Sequence, residues 1–351
     1  MVSILNNGCK TDIEYRKKLA CEAFQKSSDY DCKIYSYLGS ENININFEKD
    51  TIKELRYGEN PHQKGRFIGQ IDKIFEQIHG KDISYNNLLD IDSAIGLLND
   101  LESKESVFLI HKHNNPCGVA LRDNILDAYL DALSCDNVSA FGGILTSNQI
   151  IDIETAMEID KLFFEVLIAP NFTSEAQEIL NTKPNIRVLR SNNVATDIYE
   201  NKMIHGVGLV QSTDIVNFAE MKLEHVTNNY PSKHEIDDLI FAMKVAKHAK
   251  SNAIVLAKNK MTLGIGAGQM SRVVSTKIAF MKAEEEGLDV ANCVLASDAF
   301  FPFRDNIDFA ASKGVLHIIQ PGGSIKDDEV IKAAEEKNLT MTFTGVRHFK
   351  H

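Results

Sequence analysis

Apolar residues recur along this chain in short runs that alternate with amphipathic stretches. In the segment 234–249, Ile236, Ile240 and Met243 recur at the spacing that places side chains on one face of a helix. The run 107–110 is apolar and bounded by polar residues, which is typical of a buried strand. Strands that alternate with helices predict an α/β fold whose parallel or mixed sheet is covered on its faces.

The same pattern predicts elements along most of the chain. Helices are predicted at 11–29, 90–104, 124–134, 153–164, 234–249, 271–286, 305–313 and 326–337. Strands are predicted at 107–110, 143–147, 165–169, 186–189, 253–257, 261–266, 293–297, 315–319 and 340–343. Gly287 and Gly314 follow two of these helices at the position where a glycine commonly ends a helix. The periodicity is weak in 171–230, so we expect a subdomain boundary within 191–232.

Charge and composition narrow the class of protein. The chain has 351 residues, and 38 Lys and Arg against 49 Asp and Glu give a formal net charge of −11. This charge disfavours binding to a nucleic acid polymer or to an anionic membrane surface. No apolar run approaches the roughly 20 residues of a membrane span, and the first nine residues lack the pattern of a secretory signal. The 6 cysteines form no C-x-x-C pair and are typical of reduced thiols, so we expect a cytoplasmic protein.

The segment 55–63, LRYGENPHQ, is the first candidate for chemistry. It places Arg, Tyr, Asn, His and Gln around a glycine and a proline, and such a stiffened loop can bind an anion through its donors. A surface loop with a structural turn has the same composition. From composition alone the structural turn is slightly favoured, and both interpretations stay open.

A second candidate is the segment 108–118, in which a predicted strand runs directly into Lys112, His113 and two Asn before a proline. Ligands of open α/β sheets bind outside the carboxyl ends of the strands. A histidine there can act as a general base near neutral pH, and a neighbouring lysine can stabilise developing negative charge. The convergence of these residues favours a functional site over a structural histidine.

Four further segments carry weaker signals: the paired glycines of 139–143, the glycine-rich 263–272, the Phe-rich 297–306 and the basic 344–351. Gln269 stands where a dinucleotide fingerprint needs its last glycine, so NAD is not expected, although a glycine-rich turn before a helix can still bind an anion. Ala120 stands where zinc deaminases have a cysteine, so zinc is not expected either. Asp305 either caps the next helix or faces the NH groups of a ligand, and both alternatives stay open.

Taken together, eight segments resemble the AICAR transformylase domain of the bifunctional purine-biosynthesis family. They are LRYGENPHQ (55–63), KHNNPCG (112–118), SAFGG (139–143), SNAIVLAKN (251–259), GIGAGQMSR (264–272), SDAFFPFRDN (297–306), QPGGS (320–324) and VRHF (346–349). The resemblance runs from about residue 11 to the last residue and keeps the order of the motifs. It implies transfer of the formyl group of 10-formyltetrahydrofolate to the 5-amino group of AICAR, which gives FAICAR and tetrahydrofolate in de novo IMP biosynthesis.

The resemblance also implies roles for individual residues. His113 is the expected proton acceptor, and Lys112 stabilises the transition state or assists the leaving folate nitrogen. The positions that match contacts to AICAR are Arg56, Tyr57, Gly142, Glu165, Asn252, Arg272 and Arg347. The positions that match the folate side are Val273, Phe300, Asp305, Ser324 and Ile325. The folate is a co-substrate, and the reaction requires no metal.

A structural potassium ion is found near the C-terminus of some family members. Asp298 and His351 match two of its positions, but Ala249 and Ala253 stand where hydroxyl ligands are found. Because a methyl group cannot ligate a cation, we do not expect that ion here.

The resemblance implies two similar three-layer subdomains with mixed sheets, of the cytidine-deaminase fold without zinc. We expect an N-terminal helical segment at 1–50, a first subdomain at 51–200 and a second at 201–351. The family further implies small-molecule substrates and a homodimer with shared active sites. The IMP cyclohydrolase domain of bifunctional members is not matched, so we expect either a monofunctional enzyme or a fragment of a longer one.

Two other functions stay open. A catalytically inactive nucleotide-binding or regulatory module is suggested by the unmatched cyclohydrolase domain. Another folate-dependent formyltransferase would be favoured if a different amine outcompeted the imidazole ribonucleotide. An assay with both substrates separates enzyme from binder, because a binder releases no tetrahydrofolate.

Overall fold

The computed structural model describes residues 10–39, 52–101, 103–192 and 199–351. The expectation for the first nine residues, part of the expected 1–50 segment and part of the boundary region 191–232 lie outside the described residues. The chain forms two compact units, one drawn from Met1–Thr51 and Ile198–Ser212, the other from Ile52–Asp197 and Thr213–His351.

Sixteen strands are numbered here in chain order among the described residues. They are β1 (Ile52–Leu55), β2 (Gly65–Ile68), β3 (Phe75–Gly80), β4 (Ser106–Lys112), β5 (Asn115–Arg122), β6 (Ile144–Ser147), β7 (Val166–Ala169), β8 (Arg187–Ser191), β9 (Tyr199–Ile204), β10 (Val207–Ser212), β11 (Glu224–His225), β12 (Ile254–Lys258), β13 (Met261–Gly266), β14 (Val294–Ser297), β15 (His317–Gln320) and β16 (Thr340–Phe343). The α-helices are α1 (Ile13–Leu38), α2 (Tyr85–Asp100), α3 (Ile125–Ser134), α4 (Asn137–Ala140), α5 (Ile153–Ile159), α6 (Ser174–Leu180), α7 (Lys233–His248), α8 (Arg272–Glu285), α9 (Asp305–Ser312) and α10 (Asp327–Glu336).

The described part of the smaller unit consists of α1 and the antiparallel hairpin β9–β10. Helix α1 begins after Asp12, whose side chain accepts the N–H of Tyr15 at 2.7 Å as an N-cap. The helix continues past its predicted end at 29 because no glycine or proline interrupts the chain before Gly39, where it stops. Among the residues with described structure, no helix is both long and apolar enough to cross a membrane.

The larger unit is built on one mixed sheet of 12 strands, in the order β11-β16-β15-β14-β12-β13-β5-β4-β6-β7-β8-β3. Strands β6, β7 and β8 run parallel, as do β14, β15 and β16, whereas β4, β5, β12 and β13 pair antiparallel with their neighbours. Strands β1 and β2 form a separate hairpin. The predicted α/β class with a mixed sheet is therefore confirmed.

The sheet consists of two halves with the same chain order. The first half runs α2, hairpin β4–β5, α3, β6, α5, β7, α6 and β8. The second half runs α7, hairpin β12–β13, α8, β14, α9, β15, α10 and β16. Each half is thus a helix, an antiparallel hairpin and three parallel strands joined by helices. The cytidine-deaminase likeness and the boundaries at residues 50 and 200 stay predictions.

Helices cover both faces of this sheet. Along β4, Phe108 packs with α3, α5 and α6 on one face, while Leu109 packs with α2 and α7 on the other, as alternation along a strand requires. The core around Leu109 is shared by the two halves, since it also contains Val255 of β12 and Leu239 of α7. The sheet is therefore the middle layer of three.

The two halves meet where β5 lies beside β13. The register pairs Met261 with Ala120, and the N–H of Leu121 donates to the Lys260 carbonyl at 3.0 Å. The buried Thr262 hydroxyl accepts the N–H of Val119 at 2.9 Å and lies 3.2 Å from its carbonyl oxygen. One side chain thus satisfies both backbone groups of a residue at this seam.

The predicted elements agree with the structure best in the second half, where β16 has its predicted bounds and α7 is displaced by one residue. Gly287 and Gly314 follow helices with φ of 70° and 91°, as expected. The predicted helix at 153–164 was too long, because α5 ends at Ile159. Strand β5 and helix α6 were not predicted, and β5 changes the interpretation of the candidate site.

Candidate active site

The candidate Lys112–His113 pair lies at a tight hairpin turn between β4 and β5, which we call the first turn (Lys112–Asn115). Its central residues, His113 and Asn114, have φ of 53° and 60°, the left-handed region required at both central positions of a type I′ turn. The predicted end of the strand at residue 110 was therefore wrong in detail, because β4 continues to Lys112, reverses at once and is followed by β5. His113 is exposed at the tip of this turn.

Helix α2 holds the first turn in place. Asp90 Oδ1 accepts the N–H of Asn114 at 2.6 Å, and the Ser93 hydroxyl donates to the Asn114 carbonyl at 3.3 Å. Within the turn, Asn115 Nδ2 donates to the His113 carbonyl at 3.1 Å. Burial raises the pKa of the Asp90 carboxyl, although the Asn114 amide and the nearby His113 oppose that rise. Sequence reasoning missed Asp90, since one carboxylate on the polar face of a helix carries no signal of its own.

Lys112 is joined to the glycine loop that follows α4. Its Nζ donates to the Phe141 carbonyl at 2.6 Å. Gly142 has a φ of 73° and donates its N–H to the Phe163 carbonyl at 2.7 Å. A side chain at Gly143 would place Cβ 2.9 Å from the His111 carbonyl oxygen, so only glycine fits there. The paired glycines therefore let this loop approach the end of β4.

Glu165 lies beside the same loop and forms an ion pair. Its N–H donates to the Gly143 carbonyl at 2.9 Å, and its Oε2 accepts from Arg187 Nη1 at 2.6 Å. Arg187 is nearly buried, with 10% of its side chain exposed, and its Nε donates to the Asp82 carbonyl at 3.1 Å. Sequence reasoning missed Arg187. Its pairing with Glu165 follows from the parallel register of β7 and β8, which sets Arg187 beside Val166 and carries no local signal in the sequence.

The 55–63 loop is stiffened by its own hydrogen bonds. The N–H of Gly58 donates to the Gln63 carbonyl at 2.8 Å, and Gln63 Oε1 accepts the N–H of Asn60 at 2.8 Å. Arg56 is exposed, with its guanidinium carbon 5.3 Å from the centre of the Tyr57 ring.

This loop is joined to the helix that supports the first turn. Asn86 Nδ2 of α2 donates to the Glu59 carbonyl at 3.2 Å. Asn86 and Asp90 are four residues apart and therefore lie on one face of α2. The helix thus holds both candidate segments of the first half.

In the second half, Arg272, Asn252 and Asp298 are brought together. Arg272 begins α8 and is 7% exposed. Its Nη1 donates to the Ser297 hydroxyl at 2.8 Å and pairs with Asp298 Oδ1, while Nη2 donates to Asn252 Oδ1 at 2.6 Å. These bonds use three of the five N–H groups of the guanidinium. Most of the charge of Arg272 is therefore already compensated inside the protein.

The C-terminal segment lies against this group. The N–H of His348 donates to the Asp298 carbonyl at 2.9 Å, and the N–H of Ser251 donates to the Lys350 carbonyl at 3.0 Å. Arg347 is exposed, with its guanidinium carbon 4.4 Å from the centre of the Phe349 ring. Arg347 is thus carried by a segment that two backbone hydrogen bonds fix beside Asn252 and Asp298.

The expected folate positions lie mostly on loops at the carboxyl ends of β14 and β15. The N–H of Phe301 donates to Oε1 of the buried Gln320 at 2.8 Å, which ties the Phe-rich loop to the QPGGS loop. Phe300 is 36% exposed and Ile325 is fully exposed. Ser324 is half-buried, and its N–H donates to Asp327 Oδ2 at 3.1 Å. Neighbouring parallel strands therefore place these loops at one edge of the sheet.

The remaining two folate positions lie in helices. Val273 is the second residue of α8 and half-buried beside Arg272. Asp305 is exposed and is the first residue of α9, whose N-cap position is Arg304. Its carboxylate accepts the N–H of Asn306 at 2.8 Å. Asp305 therefore satisfies one N–H of the first turn from the position after the N-cap, and its contact with a ligand stays a prediction.

One hydrogen bond joins the first turn to the second-half group. Asn115 Oδ1 accepts the N–H of Lys250 at 2.8 Å, and Lys250 comes just before Ser251 and Asn252 in the chain. The expected catalytic pair and the Asn252–Arg272 group therefore belong to the same edge of the sheet.

The side chains at three of the positions that match a potassium site are engaged or apolar. Asp298 pairs with Arg272 through Oδ1 and accepts the Ser251 hydroxyl through Oδ2 at 2.5 Å. Ala249 and Ala253 are fully buried in the apolar core. The carboxylate is already neutralised by an arginine, and the methyl groups offer no lone pair. Among the described residues, no group of three or more His, Cys, Asp or Glu is arranged to hold a metal.

Two buried histidines lie behind the first turn. His111 is fully buried, and neither ring nitrogen has a hydrogen-bond partner among the described residues. His248 Nε2 lies 2.8 Å from Asp100 Oδ2, which also pairs with Lys247 at 2.7 Å. Burial lowers the pKa of His248 to about 4 and holds the pKa of His111 well below its ordinary value. Both rings are therefore neutral near pH 7.

The chain is similar along most of its length to proteins of one family. The family model described as AICARFT/IMPCHase bienzyme matches residues 1–282. The bifunctional purine biosynthesis protein PurH of Bacteroides thetaiotaomicron is 46% identical over 350 residues, which cover 99% of this chain and 68% of that protein. The proteins of the same name from Persephonella marina and Chlorobium phaeobacteroides are 45% and 44% identical, and the alignments cover 71% and 69% of their lengths.

Proposed function

The chain belongs to the AICARFT/IMPCHase bienzyme family, and we propose that it is an AICAR transformylase acting in purine biosynthesis. In this reaction the 5-amino group of AICAR takes the formyl group of 10-formyltetrahydrofolate, giving FAICAR and tetrahydrofolate. Relatives named as bifunctional purine biosynthesis proteins support the pathway, and the family description supports the reaction. The observation that carries the proposal is the exposed His113 beside Lys112 on a fixed turn.

Proton removal is the chemical problem in this reaction. The amine lone pair is delocalised into the imidazole ring and its carboxamide, so the nitrogen is a weak nucleophile. As this nitrogen attacks the formyl carbon, a new C–N bond forms, the bond from that carbon to N10 of the folate breaks, and N10 takes up a proton. His113 accepts the proton lost by the amine, and Lys112 either protonates N10 or stabilises the developing charge.

The proposed substrate contacts fall into two sets, one for the nucleotide and one for the folate. The exposed cations Arg56 and Arg347 are suited to the phosphate of AICAR. Tyr57, Gly142, Glu165, Asn252 and Arg272 complete the proposed nucleotide side. On the folate side, Val273, Phe300 and Ile325 offer apolar surface, Asp305 offers a carboxylate for ring N–H groups, and Ser324 offers a hydroxyl.

The test is a formyl-transfer assay on the purified chain with AICAR and 10-formyltetrahydrofolate, monitored by absorbance. We expect tetrahydrofolate to be released in proportion to FAICAR formed. Nucleotide binding without release of tetrahydrofolate would contradict the proposal and favour the inactive binding module. Faster transfer to another amine would favour a different formyltransferase.

We also propose small-molecule substrates, a cytoplasmic location and a homodimer with shared active sites. The resemblance to the family supports these points. Sedimentation of the purified chain should give a mass twice that of one chain. A monomer with full turnover would contradict the shared site.

A further inference from the structure

We propose that Asp90 is a positioning residue for His113, which it holds in place through the backbone of the first turn. The inference rests on the proposed function, because it assigns Asp90 to the step in which His113 accepts a proton. Asp90 does not touch the expected reacting atoms. Its contact is with the N–H of Asn114, the residue after His113, at 2.6 Å.

The first turn needs such support. His113 and Asn114 both have positive φ, and neither is glycine. A non-glycine residue in the left-handed region is held there by its surroundings, because that conformation is unfavourable for most side chains. The Asp90 carboxylate and the Ser93 hydroxyl bind the N–H and the carbonyl of Asn114, so α2 holds the two peptide groups on either side of the Asn114 Cα.

The second half of the sheet contains the same device. Its hairpin turn, which we call the second turn (Lys258–Met261), has Asn259 and Lys260 with φ of 53° each. Asp238 of α7 accepts the N–H groups of both residues at 2.7 Å, one with each carboxylate oxygen.

The two aspartates occupy equivalent positions. Asp90 lies six residues after Ser84, the N-cap of α2, and Asp238 lies six residues after Ser232, the N-cap of α7. Both serines form capping boxes. A carboxylate at this place in the repeat thus supports a left-handed hairpin turn in each half. The second turn has no histidine, so there the support exists without the proposed chemistry.

Because only the first turn carries a histidine, matched variants of the two aspartates can separate an effect on the position of His113 from an effect on folding. In Asp90→Ala the Asn114 N–H loses its acceptor, and His113 is free to move from its working position. We expect kcat to fall by about 100-fold, the loss typical of a misplacement near 1 Å, while the Kd for AICAR stays unchanged. Asp90→Asn keeps an oxygen that can accept the same N–H, so most of kcat should return.

The matched control is Asp238→Ala, with Asp238→Asn as the milder variant if the first does not fold. Both remove or weaken the support of the second turn. We expect a lower free energy of unfolding but an unchanged kcat per folded molecule. Hydrogen exchange of the Asn114, Asn259 and Lys260 amides in all variants measures how well each turn is held, independently of activity.

The inference is overturned if Asp90→Ala keeps wild-type kcat, if Asp90→Asn is as slow as Asp90→Ala, or if Asp238→Ala loses as much kcat per folded molecule. It is also overturned if exchange of the Asn114 amide is unchanged in Asp90→Ala. If the wild-type chain transfers no formyl group, the proposed function fails. The exchange data then still decide whether Asp90 fixes the first turn.

Discussion

At the scale of single residues, His113 combines an exposed imidazole with a backbone that few side chains adopt. Its left-handed φ comes from the first turn, and the Asn115 side chain binds its carbonyl. The ring is therefore presented at the tip of a short, hydrogen-bonded loop. Its removal can be tested with little change to the backbone, provided that the replacement tolerates positive φ.

The replacement His113→Asn meets this condition, because Asn is enriched in the left-handed region. We expect formyl transfer to fall by about 100- to 10,000-fold, the usual contribution of a positioned base, while AICAR binding is retained. Steady-state kinetics and calorimetric titration measure the two effects. Wild-type turnover in this variant would exclude His113 as the proton acceptor.

The buried histidines predict a loss of stability in acid. Burial lowers the pKa of His248 from 6.5 to about 4, so between these values the unfolded chain binds a proton that the folded chain does not. The free energy of unfolding should therefore fall as pH drops through this window, by about 3 kcal/mol for His248. Burial raises the pKa of Asp100, but the hydrogen bonds and charges of His248 and Lys247 together lower it below its ordinary value, which adds a further loss of stability at lower pH.

Urea denaturation at several pH values between 7 and 4 measures this slope. His111→Leu should flatten it, because the variant removes a second ring that the fold keeps neutral, and should not lower stability at pH 7. A steeper pH dependence of the free energy of unfolding in His111→Leu would contradict the explanation by buried, neutral histidines.

A residue could be predicted from the sequence when its neighbours in the chain form a pattern, and not when it depends on a distant partner. Lys112 and His113 could be found because reactive groups next to a strand end form a local pattern. Arg187 and Asp90 could not, because each acts through a partner far away in the sequence, Glu165 and Asn114. The charge of Arg272 was visible, but its burial against Asp298 was not.

At the scale of elements, glycines set how closely each hairpin packs on the helix that follows it. A Cβ at Gly118 of β5 would lie 1.9 Å from the Ala132 carbonyl oxygen of α3. A Cβ at Gly264 of β13 would lie 2.0 Å from the Ala279 carbonyl oxygen of α8. Each glycine is the fourth residue of its strand, and each alanine is the eighth residue of its helix. The close approach is thus part of the repeat.

We expect Gly118→Ala and Gly264→Ala each to lower the free energy of unfolding by about 3 kcal/mol, since neither helix can move away without opening the core. Chemical denaturation measures the loss. Gly208→Ala in β10 is the matched strand control, because its Cβ would meet nothing closer than the Met203 sulfur at 3.9 Å. An effect of Gly208→Ala as large as the other two would contradict the packing explanation.

The elements that were predicted poorly share a cause. Strand β5 begins Asn115-Pro116-Cys117-Gly118, and neither proline nor glycine favours a strand. The first turn contains no glycine, so the usual signal of a tight hairpin is missing. Long periodic segments such as α7 were found because their apolar spacing is regular. Local propensity thus failed where tertiary contacts with α2 and α3 determine the backbone.

At the scale of the larger unit, the two halves share one core. Leu97, Leu109 and Val119 of the first half pack in the same cluster as Val255 and Ile319 of the second. The β5–β13 seam continues the sheet between them. We therefore expect this unit to unfold in one cooperative transition.

Calorimetry and hydrogen exchange check this expectation together. In Gly264→Ala, the amides of β4 in the first half should lose protection along with those of β12 in the second. Loss confined to the second half, or two separate calorimetric transitions in this unit, would show that the halves are independent. In Gly118→Ala, a variant of the first half, the amides of β12 in the second half should likewise lose protection along with those of β4.

The repeated support of the two turns has a consequence for protein engineering. The carboxylates of Asp90 and Asp238 bind backbone N–H groups, so they constrain the path of the chain and leave open which side chains it displays. The second turn is therefore a ready place to graft reactive groups, since Asn259 and Lys260 share the positive φ of His113 and Asn114. Lys258 already precedes Asn259 in the second turn, as Lys112 precedes His113 in the first. One exchange, Asn259→His, would give this hairpin the same pair of side chains at a turn whose two central residues also have positive φ.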